Sequence, residues 1–523
     1  MIARDSRPRT ARRTLNAALT AALAIATASC SVPTGHPPLE VDPAVVRAHL
    51  TMLTSAEGLG EEPGSPGEVA AMKYAADIFR ANHLVTSTQS LPLYRIRSQP
   101  VTATVTTPAG KRTLGGADYV AWTPLPQPTV SIDAPIVFVG FGIVAPEFKW
   151  DDYKDVDVAG KVVLVLESSP HNGNRDEFGT LGETYYSRST YKFEEAARHG
   201  AAGVFIVHDD AKAIDDWDAI CASVSGGRIS SDPRVAGSAP AATVEGWLTG
   251  AAATTLAGSA GANLEQLKEL ALEHNFRAVP LDARASVAIA STVTPIASQN
   301  VIGVVEGQTS EYVLVESRWN RIGEMGGTGT VIAKLENDDA SGVAVLLETA
   351  AAFARQPKPR RTLVFMVTTA ERRGLVGSRF YAEHPVFAPD KTTAEIFFDR
   401  ASFFSGGRHV RIIGHPFQGL SDLLKNVGTA HGRLMENEHD TDKLFYYRWS
   451  QAAYAEQGIP EMTFSTAFAR PGAPPTRRAA PLNVLVPPFD PQAAIDDTDL
   501  LYNLISRVSD STDWPALRKP GVE

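Results

Sequence analysis

The sequence predicts an α/β protein: a mostly parallel, helix-covered sheet, interrupted by a smaller β-rich unit. Three observations carry this prediction. Continuous apolar runs such as Leu363–Val367 have the length and make-up of strands buried on both faces. They alternate with segments whose apolar residues recur at helical spacing, the alternation that builds a parallel sheet. The texture then changes from about Ala134 to about Ala285, where short strand-like runs are separated by Gly- and Ala-rich loops. At 523 residues the chain also exceeds what one hydrophobic core usually serves.

Taken in order, residues 1–29 read as a secretory signal. Arg4, Arg7, Arg9, Arg12 and Arg13 precede a short apolar run, "LNAALTAALAIATAS", that ends in small residues. Residues 30–43 read as a tether, rich in proline from Thr34 to Pro43. The stretch "ATASC" resembles the lipobox of bacterial lipoproteins, which implies a lipidated Cys30 and an exported protein anchored at the cell envelope, facing the periplasm or the exterior. A plain signal cut near Ser29 is the alternative. The only other cysteine is Cys221. With Cys30 acylated, no disulfide is possible, and Cys221 is expected to be a half-buried small hydrophobe.

Residues 44–133 carry two helices, in "VDPAVVRAHLTMLTS" and "EVAAMKYAADIFRANHL", around a Gly/Pro turn cluster. Residues 134–285 form the β-rich unit: strands in "APIVFVGFGI" and "GKVVLVLES", then a helix, a glycine stop at Gly200 and a strand in "TYKFEEAARHGAAGVFIVHD". Residues 286–523 return to the main sheet with strands in "NVIGVVEG", "EYVLVESRW", "TLVFMVTT" and "AEIFFDRASFF". Helices are expected in "DDASGVAVLLETAAAFA", "DLLKNVGTA" and "DTDLLYNLISRVSD".

The formal charge is -10, and without the five arginines and one acid of residues 1–29 the remaining 44 basic and 58 acidic residues give -14. Such a surface repels nucleic acid and anionic membrane. The expected partner is a peptide or protein, and the expected membrane link is the lipid alone.

Three carboxylates in residues 286–523 lie where strands end: Asp338, Glu371 and Asp399. The carboxyl edge of an open α/β sheet is where ligands bind. An ordinary loop acid is the plainer reading of any one of them. Three together repel one another unless a metal or cationic side chains intervene.

The stretches "NDDASGVAVLLETA", "RTLVFMVTTAERRGLVGSRFYAEHP", "FFDRAS" and "YAEQGIPEMTFST" resemble the co-catalytic di-zinc aminopeptidases of the M28 type. "GFGIVAPEFKWDDYKDVDVAGKVVLVL" and "FEEAARHGAAGVFIVHD" resemble the protease-associated domain inserted in many of them. The resemblance implies a zinc-aminopeptidase-like sheet, with that domain as its insertion. It also implies five metal ligands and a general base. Glu371 falls on the base. Asp338 falls on the metal-bridging aspartate and Asp399 on a further ligand aspartate. Arg318, however, stands at the first histidine ligand, Asn320 at a supporting acid and Arg321 at a histidine of the same stretch. Arg372 replaces a ligand glutamate. The last histidine is expected after "GIPEMTFSTAF", where the chain reads "ARPGAPPTRRAAPL".

A histidine census agrees. None of the twelve histidines lies between His274 and His384, and none follows His439. A catalytic zinc needs about three protein ligands, rich in nitrogen or sulfur. The expectation is therefore an inactive peptidase homologue that binds a peptide or protein and holds no cofactor, with Glu371 vestigial. Two alternatives remain open. One is an active zinc aminopeptidase with ligands rebuilt from His409, His415, His431 or His439. The other is a metal-free hydrolase using Glu371 as base, with an arginine steadying the oxyanion.

Overall fold

The computed structural model describes residues 39–57, 62–170, 178, 185–209, 216–232, 234, 240–319, 340–371, 375–404, 408–414, 417–436, 451–467 and 489–512. Its frame is a sheet of 15 strands among these residues. One end of the sheet runs Leu434–Glu436, His409–Ile413, Glu461–Ser465, Thr392–Phe398, Tyr312–Arg318 and Thr362–Thr368. The other runs Thr129–Phe138, Val162–Leu166, Gly203–His208, Val244–Thr249 and Tyr119–Trp122. The long strand Val279–Val305 lies between the ends and pairs with both.

Parallel pairing dominates where the apolar runs predict it. Tyr312–Arg318 is parallel to Thr362–Thr368 and to Thr392–Phe398, which is parallel to Glu461–Ser465. All seven residues of Thr362–Thr368 are buried, as a two-face-covered strand requires. The predicted helices form as Pro43–Glu57, Pro66–Ala81, Ser189–Arg198, Ala340–Ala354, Gln418–Ala430 and Pro491–Asp510. Gly200 follows Ser189–Arg198 with φ 76°, the left-handed conformation that ends a helix without a Cβ penalty.

One large feature is absent from the sequence reading. Val85–Thr107 and Val279–Val305 form a long antiparallel ribbon, registered from Val85↔Val304 to Thr106↔Arg284 with one shift at Pro100/Thr102. Burial alternates regularly only from Leu281 to Ile289, and the partners lie far apart in sequence.

By backbone contact the residues from Leu39 onward form one unit. Its apolar interior is nevertheless divided. One core joins Phe79, Val315, Leu346, Phe365, Phe398 and Leu501 under the helices of one face. Two others, around Phe138 and Phe205 and around Trp122 and Ile206, line the two faces of the second half-sheet. The position Ala134 falls inside the strand Thr129–Phe138, and Tyr119–Trp122 also joins this half of the sheet.

Candidate functional site

Parallel register brings the ends of three strands to one edge. Arg318 is opposite Thr368, and Glu316 is opposite Phe397, so Arg318 leaves its strand level with the exit of Asp399. The helix Ala340–Ala354 starts against the same edge. Ser341 Oγ accepts from the Ala401 backbone N–H at 3.0 Å. A Cβ at Gly342 would lie 2.4 Å from the Asp399 carbonyl and 2.6 Å from Ser317 Oγ, so only glycine permits this approach.

Asp399 is fully buried, and two guanidinium groups hold its carboxylate. Arg318 donates to Oδ1 at 2.8 Å, and Arg400 donates through Nε to Oδ2 at 3.0 Å. The arginines are 14% and 23% exposed, so their charge sits at the mouth of the site and not in bulk water. Arg318 also lies over the Phe397 ring, at 5.9 Å from its centroid. The Arg400 backbone is fixed because its carbonyl accepts from Thr466 N–H at 2.9 Å and from Ser465 Oγ at 3.2 Å.

Glu371 lies three residues past Thr362–Thr368, and its turn is strained. Ala370 has φ 57° and Leu375 φ 60°, left-handed values that cost a non-glycine residue roughly 1 kcal/mol each. The strain aims the carboxyl at the start of the helix Val376–Glu383, where Ser378 N–H donates to Oε1 at 2.8 Å. Burial pushes Glu371 up to about 7, while the Ser378 hydrogen bonds and the charges of Arg318 and Arg379 pull it down. Arg318 therefore acts on both acids, bonded to Asp399 and within electrostatic range of Glu371.

Three supporting residues escaped the sequence reading. Glu68, buried at the start of Pro66–Ala81, accepts from Gly64 N–H at 2.5 Å, from Ser298 Oγ at 2.6 Å and from Thr369 Oγ1. It forms a capping box with Ser65, whose Oγ accepts from Glu68 N–H at 3.2 Å. The motif "SPGE" could have revealed the box, though not its reach to Thr369. Asn300 accepts from Thr369 N–H at 3.2 Å and donates to the Gly377 carbonyl at 3.0 Å, which fixes both sides of the Glu371 turn. Asp497 accepts from Ser402 N–H at 2.7 Å, Thr466 Oγ1 at 2.8 Å and Arg433 at 2.6 Å, and so ties two edge loops to the helix Pro491–Asp510.

Asp338, Arg372 and Cys30 lie outside the described residues, as do Asn320, Arg321, His415 and His439. His409 is 3.3 Å from Glu436 and His431 is 2.8 Å from Asp499. Among the described residues, no group of three or more His, Cys, Asp or Glu is placed to hold a metal ion. These donors, taken by themselves, do not fit zinc. Asp399 has both oxygens engaged by arginine, and a dication beside it would face two positive charges.

Residues 300–481 match peptidase family M28. Among solved structures, the chain is similar to an aminopeptidase from Aneurinibacillus sp. strain AM-1, at 19% identity and a TM-score of 0.51, over 90% of this chain and 96% of that one. It is also similar to a zinc aminopeptidase from Bacillus subtilis, at 16% identity and a TM-score of 0.47, over 92% of this chain and 98% of that one. The first of these similarities shows an aminopeptidase-like α/β fold. No helix among the described residues is long and apolar enough to cross a membrane.

Proposed function

Residues 300–481 of the chain belong to peptidase family M28, and on that premise we propose that the protein is a catalytically inactive member that binds a peptide or protein in the inherited cleft. It is exported, carries the protease-associated domain as its insertion, and is held at the cell envelope by a lipid on Cys30. It needs no zinc.

The observation that carries this reading is the arginine-held Asp399. The resemblance assigns its carboxylate to a metal, yet Arg318 and Arg400 occupy both oxygens. Arg318 stands where the resemblance implies a histidine, and the histidine census leaves both histidine-bearing segments empty. Positive charge at a ligand position opposes a dication directly. Glu371 retains the position of a base, but a base alone does not polarise a peptide carbonyl.

Purified protein, assayed for bound zinc and for release of amino acids from aminoacyl-anilides, tests the reading. The expected result is neither zinc nor turnover, with retained binding on a peptide array that Arg318→Ala weakens. Stoichiometric zinc accompanied by turnover would overturn it in favour of rebuilt ligands. Turnover without metal would point to Glu371 acting with an arginine.

A further inference from the structure

The face of the sheet beneath the helices Val376–Glu383 and Gln451–Glu456 is built unlike an apolar core. Tyr381, Ala382, Ala453, Tyr454 and Ile459 pack over Leu314, Val364 and Met366. The same face also carries three glutamates on three adjacent strands. Glu395 and Glu461 are direct neighbours in the parallel register, and Glu316 lies on the next strand over. Their exposures are 0%, 4% and 0%. Alternation along each strand explains the arrangement: Ala394, Ile396 and Phe398 turn to the large core, as do Met462 and Phe464, so Glu395 and Glu461 point the other way.

The partners on this face are few. Glu316 accepts from Tyr454 OH and, at 3.3 Å, from Ser378 Oγ. Neither oxygen of Glu395 has a hydrogen-bond partner among the described residues, nor does Oε2 of Glu461. The hydroxyls of Thr393 and Thr463, also buried here, are likewise without one. Neighbouring strands run about 4.8 Å apart. Two carboxylates at that spacing, desolvated and without a cation between them, cannot both be charged.

The charged and titratable groups around the pair reinforce this. Glu316 and Arg318 come from Tyr312–Arg318, and Arg318 is committed to Asp399. The strand Thr362–Thr368 contributes none. Glu371 precedes the first covering helix, and that helix supplies Arg379, 3.7 Å from Glu194, with Tyr381 and Glu383. Tyr454 comes from the second helix. Arg411, on His409–Ile413 opposite Ser465, is held by Glu436 at 2.9 Å. No cation among them is left for Glu395 or Glu461.

We propose that Glu395 and Glu461 form a proton switch in the sheet face beneath the helices Val376–Glu383 and Gln451–Glu456. Both are carboxylic acids while the two helices lie on the sheet, and loss of their protons undocks those helices. The first helix carries Ser378, whose N–H holds Glu371, so undocking releases the Glu371 carboxyl as well. Burial raises both groups, Glu461 to about 8, and the like charges of Glu316, Glu461 and Glu371 raise Glu395 further. The sign follows. An acid raised in the folded state contributes its full stability below the ordinary value near 4.5. That contribution is lost as pH rises through the folded value.

The experiment compares the full chain with Glu395→Gln, Glu461→Gln and the double variant between pH 6 and pH 9. Glutamine has the shape of a protonated glutamate, so the variants keep the fold. The expected result is a wild-type melting temperature that falls with pH by at least about 3 °C more than that of the double variant. Amide protection in residues 376–383 and 451–456 is expected to fall in the wild type alone. The infrared carbonyl band of protonated carboxylic acid, present in the wild type at pH 7, weakens in the double variant. Parallel melting profiles, or an infrared band unchanged by the double substitution, would overturn the proposal. Failure of the double variant to fold at pH 6, where it should be at least as stable as the wild type, would do so too. None of these outcomes bears on whether the cleft binds peptide.

Discussion

Arg318 reaches across from its own strand to Asp399 at 2.8 Å, and the aspartate it meets has no access to water. Without the guanidinium, Asp399 keeps Arg400 as its remaining charged partner. Arg318→Ala is therefore expected to destabilise by about 2 kcal/mol, below the roughly 3 to 5 kcal/mol for a wholly uncompensated buried charge. The double variant Arg318→Ala/Arg400→Ala should reach that larger range. Urea denaturation measures both, and an unchanged midpoint for the single variant would remove the pair from the account.

Glu371 should make stability depend on pH in one direction. Its value rises from 4.5 to about 7 on folding. Its contribution is complete below about 4.5 and is lost as pH climbs to 7 and beyond. Glu371→Gln should thus match the wild type at pH 4 and exceed it at pH 8 by about 3 kcal/mol. Since the Arg318 charge lowers Glu371, Arg318→Ala should move the carboxyl titration upward. Site-resolved NMR of the glutamate carboxyls tests this.

Gly377 should not tolerate a side chain. A Cβ there would lie 2.4 Å from the Thr369 carbonyl and 2.8 Å from Glu371 Oε1. The first contact is with backbone and cannot be relieved by a rotamer change. Gly377→Ala is expected to cost about 2 to 3 kcal/mol and to dislodge Glu371 from Ser378 N–H. Thermal melting reads the first effect, and the Glu371 titration reads the second.

Glu68 is expected to matter although it lies far from the edge in sequence. Removing its carboxylate leaves buried Ser298 and Thr369 hydroxyls without that acceptor and breaks the capping box. Glu68→Ala should cost about 2 to 3 kcal/mol. A loss below about 0.5 kcal/mol, the range of an ordinary surface substitution, would show that the network carries no load.

Restoring one lost acid should not restore the metal. Arg372→Glu, with histidines still absent from both segments, is expected to bind no zinc after dialysis, because oxygen donors alone make a poor zinc site. Tight uptake by that single variant would contradict the proposed function.

The sequence by itself determined which segments become strands and helices in the main sheet, because burial on both faces writes an unbroken apolar run such as "LVFMV" and amphipathic packing writes helical spacing. It also determined that Arg318 follows an apolar strand and so begins inside the sheet edge, and that histidine is missing from two segments. What only the tertiary structure decided depends on partners distant in the chain. The ribbon of Val85–Thr107 with Val279–Val305 left only a partial period-two pattern, from Leu281 to Ile289, and its full extent comes from pairing with a distant segment. Arg400 as the second partner of Asp399, and Glu68 beneath Thr369, are long-range or side-chain-geometric facts with no local signature. The glutamate row shows this best. Glu395 and Glu461 each read as one polar residue at the start of an apolar run, and only the parallel register of their strands makes them neighbours. Like charges that repel when close have no influence on one another along 66 residues of unfolded chain, so their coupling exists only in the fold.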